Sequence, residues 1–144
     1  MKLLYEHDFY GVTPELLTKE FITGLIVGEG TFYWTSDRST AKKIPVFALR
    51  FHIRDFDLLL NVKYSLGLKE RVYEYNHGGR HYAFLIVRSF EGLRRLIEDI
   101  YPLLSGYKKI QFIEWFQKFN HENMRPQDRA VYNIFKLRFP SLYS

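Results

Sequence analysis

The 144-residue sequence contains no cysteine. That removes disulfide frameworks, thiolate metal sites and cysteine nucleophiles, and it suits a reducing compartment. The chain also lacks any apolar run near the roughly 20 residues that cross a bilayer. Charges break the short apolar start of the opening segment MKLLYEHDFY, so neither an anchor nor a secretory signal is expected. The five histidines show no ligand spacing such as His-Glu-x-x-His, and no glycine-rich phosphate loop occurs, which sets aside zinc and nucleotide-loop chemistry. The expected setting is intracellular, cytoplasmic or organellar, with no membrane partner.

Apolar and basic residues are plentiful. At 47% hydrophobic and 18% aromatic, the chain can bury one core, so a single domain is expected over residues 1–144. Its core should run over about 13–120, followed by a helical, basic and aromatic tail over 121–144. Lysine and arginine number 21 against 16 acids, a net charge of +5, which favours a polyanionic partner without naming it.

Thr13, Pro14 and Glu15 read as a cap, a proline at the first helical position and a first-turn acid, so a helix is predicted to start there. It carries Leu16, Leu17, Phe21, Ile22, Leu25, Ile26 and Val27, apolar nearly all round, as in a helix buried on more than one side. Gly30 ends it. Thr31 to Arg38 then alternates, with Phe32 and Trp34 opposite Tyr33, Thr35 and Asp37. A second strand over Ile44 to Ile53 sets Phe47, Leu49, Phe51 and Ile53 against Val46, Ala48, Arg50 and His52.

Asp55 can cap a short helix closed by Gly67. Strands follow over Lys69 to Asn76 and Arg80 to Arg88, joined by the His77-Gly78-Gly79 turn. Ser89 opens another helix, Pro102 interrupts it, and Tyr107 to Asn120 continues helically; Phe112, Trp115, Phe116 and Phe119 fall at core spacing rather than on a base-stacking platform. The fold class is therefore α+β, in the order α-β-β-α-β-β-α, with a four-stranded antiparallel sheet and helices on one face. The other face should carry Arg50, His52, Arg71, Tyr73, Tyr75 and His81, basic groups among aromatics that suit a phosphate-rich groove. The same alternation also describes an ordinary solvated face.

The segment Ile22-Thr23-Gly24-Leu25-Ile26-Val27-Gly28-Glu29-Gly30 carries the chemistry. Gly24 and Gly28 share a helical stripe with Leu17 and Phe21, where missing side chains admit a second backbone. A glycine costs up to about 1 kcal/mol against alanine in a helix, so two of them call for a packing reason. That reason is either a partner helix or the chain's own sheet. With one such helix in one domain, a partner helix would come from an identical chain across a twofold. Glu29 closes the helix, where the macrodipole disfavours a carboxylate unless a cation lies nearby. Taken alone, it is also an ordinary solvated terminal glutamate.

This segment resembles the LAGLIDADG motif of homing endonucleases, keeping both glycines, the apolar pair between them and the acid-glycine ending. The order of elements is similar over roughly Thr13 to Asn120, as are the stretches Phe51 to Leu59 and Tyr101 to Lys109. The resemblance implies a DNA-binding saddle on the open sheet face and a homodimer joined through Leu17, Phe21, Gly24, Leu25 and Gly28. It implies magnesium (or manganese) held by Glu29 and the Gly28 backbone, and metal-dependent double-strand cuts in a long DNA target for intron or intein homing. Lys108 and Asp55 join Glu29 as implied catalytic residues, with Lys109 the register alternative to Lys108 and Asp55 equally a plain helix cap. The implied DNA contacts are Tyr33, Thr35, Asp37, Arg38, Arg50, His52, Arg54, Arg71, Tyr73, Tyr75 and His81. Val27 replaces the motif's first acid, which is not a metal ligand, and glutamate stands where aspartate is commoner. Two rivals are a binding-only relative, such as an intron-splicing maturase or a regulator, and a basic domain that meets acidic protein.

Overall fold

A computed structural model describes Leu4–His7 and residues 13–143. Residues 1–3, 8–12 and 144 lie outside the described residues, and with them part of the opening segment read above as free of a leader. The strands are β1 (Leu4–His7), β2 (Gly30–Ser36), β3 (Lys43–His52), β4 (Val72–His77) and β5 (Arg80–Val87). The helices are α1 (Lys19–Glu29), α2 (Phe56–Leu66), α3 (Phe90–Ile100), α4 (Gly106–Gln117) and α5 (Pro126–Ile134). All strand pairs are antiparallel, in the spatial order β1-β4-β5-β3-β2. The sheet thus has a fifth strand beyond the four predicted. β1 pairs Leu4 with Tyr75 and Glu6 with Tyr73, a pairing between distant segments that local alternation in a short charged stretch does not announce.

The first helix starts later than Thr13 suggests. Thr18 is the cap, its hydroxyl accepting from Phe21 N at 3.1 Å. The preceding backbone is tied to α2 instead: Glu15 N donates to Asn61 Oδ1 at 2.9 Å and Leu17 N to Ser65 Oγ at 2.8 Å. Those tertiary bonds satisfy amides that a helix from residue 14 would have to cap locally. Elsewhere local signals prevail. Gly67 closes α2 at φ 66°, Gly78 and Gly79 turn the β4–β5 hairpin at φ 56° and 80°, and Ser89 Oγ accepts from Gly92 N at 3.0 Å to cap α3.

The core lies between the helices and one sheet face. Phe47, Leu49, Val72, Leu85 and Val87 meet Ile22, Ile26, Leu59, Leu93, Ile97 and Phe112 there, all buried. The predicted aromatic cluster of α4 is core: Phe32 packs at 5.0 Å from the Trp115 ring and 5.3 Å from Phe112, and the Trp115 indole donates to Tyr33 O at 3.0 Å. The segment after residue 120 packs into the same core through Val131, Phe135 and Leu142. Arg125 ties it down, donating to both oxygens of the fully buried Asp128 at 2.8 and 2.9 Å and to Arg88 O at 2.8 Å.

Candidate functional site

Helix α1 turns Ile22, Thr23 and Ile26 into the core and leaves Phe21, Gly24, Val27 and Gly28 exposed. A Cβ built on Gly24 or Gly28 would meet no atom of the described residues beyond its own helical backbone within 4 Å. The glycine pair therefore does not pack against the chain's own sheet, and Phe21, 51% exposed, continues the uncovered stripe. Leu17 and Leu25 flank it, half-buried against the core edge. Gly30 has a different role. A Cβ there would meet Ile26 O at 2.8 Å and the Phe47 ring at 3.1 Å, so the helix can pass directly into β2 only through glycine.

Glu29, the last residue of α1, is exposed and forms no ion pair or side-chain hydrogen bond among the described residues. Lys108, near the start of α4, donates its Nζ to Gly30 O at 2.6 Å, which holds an ammonium one residue beyond Glu29. Lys109 instead lies over the Tyr101 ring, 5.7 Å from its centroid. A cleft of about 320 Å³ opens beside them, lined by Glu29, Thr31, Tyr33, Ala48, Arg50, Phe84 and Ile86. Asp55 does not line it. It takes the cap position of α2 without making a side-chain cap hydrogen bond, so neither the catalytic nor the capping expectation is matched by a contact. An unpaired carboxylate with carbonyls such as Gly28 O at the negative end of a helix is a hard-oxygen donor set suited to magnesium or manganese. Among the described residues no group of three or more His, Asp or Glu could hold a metal ion.

Strand register arranges the open sheet face in rows. Thr31 stands beside Ala48 and Ile86; Arg50 beside Phe84 and Tyr73; His52 beside Tyr82, Tyr75 and Leu4. Tyr33 and Thr35 continue it along β2, and Arg50, His52 and Arg54 are exposed. His81 does not belong to it. Its register partner is Asn76, and the ring instead meets Glu74, whose other oxygen lies 2.9 Å from His7 Nε2. This cluster occupies the helix-side parity of Val72 and Ala83, because a side-chain period of two sends odd and even positions of β5 to opposite faces. Hydrogen bonding to His81, reinforced by His7, holds the Glu74 carboxyl below its usual range.

Three other expected contacts are already engaged within the chain. Arg71 pairs with Glu6 at 3.0 Å, and the Tyr73 hydroxyl donates to the same carboxylate at 2.6 Å, which lowers the Glu6 carboxyl and raises the Tyr73 phenol. Asp37 accepts from Ser39 Oγ at 2.7 Å and Ser39 N at 2.9 Å, bonds that lower its carboxyl and brace the hairpin turn beside exposed Arg38. Sequence reasoning missed Arg80, Tyr82, Phe84 and Ile86. Their signal is the alternation of β5, legible once Ala83, Leu85 and Val87 are recognised as the buried parity.

An antiparallel sheet with helices on one face, an open opposite face and a motif helix ending in a free carboxylate defines the homing-endonuclease fold. Residues 22–119 match the family model for LAGLIDADG endonuclease, and the chain belongs to that family. Its structure is similar to the homing endonuclease I-TnaI at 22% identity, over 72% of this chain and 71% of that one, with a TM-score of 0.61. It is also similar to I-GzeII in complex with its DNA target (23% identity, 72% of this chain, 35% of that one, TM-score 0.59). A third likeness is to the meganuclease I-CpaMI bound to uncleaved DNA (18% identity, 88% and 49%, TM-score 0.62). The chain thus spans 35% and 49% of the last two proteins. No curated protein sequence matches it significantly. Among the described residues no helix is long and apolar enough to cross a membrane.

Proposed function

We propose that two copies of this chain assemble through α1 into a site-specific DNA endonuclease that makes metal-dependent double-strand cuts. The observation that carries this reading is the uncovered Phe21-Gly24-Gly28 stripe running directly into the unpaired Glu29. An isologous contact along that stripe brings two such carboxylates together at the axis, a like-charge pair that calls for a cation. The open sheet faces of the two copies then flank the axis, each lying in a major groove of one half-site.

Glu29 and the Gly28 carbonyl would hold magnesium or manganese, which when bound polarises the phosphate and acidifies the attacking water. Water adds to phosphorus, one phosphorus–oxygen bond breaks, and the departing oxygen takes up a proton. Lys108, fixed on Gly30 O, sets a positive charge near the oxygens that gain negative charge. Arg50 holds the duplex against the cleft that contains Glu29.

The test is single-turnover cleavage of a duplex recovered by selection, in magnesium and in calcium, beside a binding assay. Glu29→Gln is expected to abolish cleavage and keep sequence-specific binding, since the amide retains shape and loses the charge that recruits metal. Lys108→Ala should slow cleavage by roughly 10²–10³, as for the loss of one group stabilising an oxyanion. Cleavage at the wild-type rate by Glu29→Gln overturns the metal assignment. Specific binding by the wild-type chain without cleavage under any metal points to a regulator or maturase instead.

A further inference from the structure

The open face is apolar at its centre, where a surface built only for hydrogen-bonded reading would be polar. Its middle rows hold Ala48, Ile86, Phe84, Tyr82 and Tyr75, with Arg50, His52 and Tyr73 as the other members among them. The aromatic surfaces are already engaged by one another. Tyr75 and Tyr82 stack with rings 22° apart, Phe84 meets both edge-on at 6.1 and 6.2 Å, and the Arg50 guanidinium sits 4.6 Å over the Tyr82 ring. Stacking of an unpaired base needs a free ring face, for which the Tyr75 ring and the Arg50 guanidinium already compete at Tyr82, and Ala48 and Ile86 extend the row into a methyl-bearing ridge. The ridge is continuous with the catalytic cleft, because Arg50, Phe84 and Ile86 line both that cleft and the neighbouring one that reaches Tyr75 and Tyr82.

Resting on the reading of this face as a duplex-DNA interface, we propose that the Ala48–Ile86–Phe84–Tyr82 ridge recognises thymine C5-methyl groups in the major groove, with Arg50 as the hydrogen-bonding reader among them. The thymine methyl is the one apolar group that the groove floor displays. A cytosine or adenine amino group set against the Ala48, Ile86 and Phe84 side chains would lose its water and find no side-chain acceptor on them, which disfavours those bases there. The occupant is a duplex because the ridge is flanked by Arg50, Arg80 and Arg88 on a chain of net charge +5. Since the ridge begins at the Glu29 cleft, the thymines fall in the part of each half-site nearest the cut and extend outward.

The test starts from duplex sites recovered from a randomised pool by the wild-type chain, bound in calcium. Each thymine is then replaced by deoxyuridine, which removes the methyl and nothing else. Binding should weaken about fourfold for each contacted methyl, the factor that corresponds to roughly 0.8 kcal/mol per buried carbon. Ile86→Ala and Phe84→Ala should each erase the thymine–uracil difference at one position while leaving it at others, a coupling that general destabilisation would not produce. Uracil-substituted sites bound as tightly as the parent, with specificity intact, would overturn the proposal and leave the endonuclease reading standing. Preference for a single strand over every duplex would overturn it by assigning the aromatics to stacking. Absence of any sequence-specific duplex binding would remove the endonuclease reading, and this proposal with it.

Discussion

Gly92 in α3 and Gly28 in α1 look alike in the sequence, each a helical glycine between a glutamate and an aliphatic residue, and the fold uses them in opposite ways. A Cβ at Gly92 would lie 2.4 Å from Glu70 Oε2 and 2.7 Å from Val87 Cγ1, whereas one at Gly28 would meet nothing within 4 Å. The first glycine lets α3 press onto its own sheet. The second lies open, with none of the described residues packed upon it. The same contrast divides the two sheet faces: Phe32, Phe47 and Trp115 are spent on the core, while Tyr75, Tyr82 and Phe84 pack against one another and Arg50 on the side without helices.

The largest effect that would sharpen this comparison is on assembly. Gly28→Leu should weaken self-association by about 5- to 150-fold, the scale of a 1–3 kcal/mol overpacking penalty, while the isolated chain stays folded and gains slightly from the better helix former. Sedimentation over a concentration series measures it. A mutant that still dimerises places the interface elsewhere, and one that unfolds as a monomer erases the contrast with Gly92.

Next in size, Gly92→Ala should cost the fold about 1–3 kcal/mol with little change in self-association. Urea unfolding at a fixed chain concentration reads this loss, and an unchanged midpoint would show that Glu70 and Val87 move aside freely.

The smallest effect concerns Glu70, which packs against that same glycine. Burial raises its carboxyl above the usual range, against an opposing hydrogen bond from Ser89. The folded chain therefore holds this proton more tightly than the unfolded one. The contribution to stability is fully present below the unfolded value and is lost as pH rises through the raised folded value. Thermal melts between about pH 4 and pH 7 should show a shallower fall in stability for Glu70→Gln than for the wild type. Parallel profiles would mean that the carboxylate is solvated well enough to ionise normally.

Much of the molecule follows from local chemistry and was legible on that ground. The α-β-β-α-β-β-α order rests on period-two and helical spacing, and the turns at Gly67, Gly78 and Gly79 rest on a positive φ that glycine tolerates without strain. The motif with Glu29 at its end is likewise contained in nine consecutive residues. Three features required the tertiary structure, because each depends on what lies across from a residue rather than beside it. The start of α1 at Thr18 is decided by Asn61 and Ser65 capturing the amides of the preceding segment. The fifth strand is decided by pairing between segments 65 to 71 residues apart, and the side on which His81 falls by which parity of β5 is buried, where a shift of one position reverses every side chain. The sequence by itself determined that this chain carries a family motif on a helix ahead of a hairpin. Only packing decided that the helix's glycines remain uncovered by the described residues, that Lys108 rather than Lys109 reaches Gly30, and that Phe84 and Ile86 rather than His81 border the cleft.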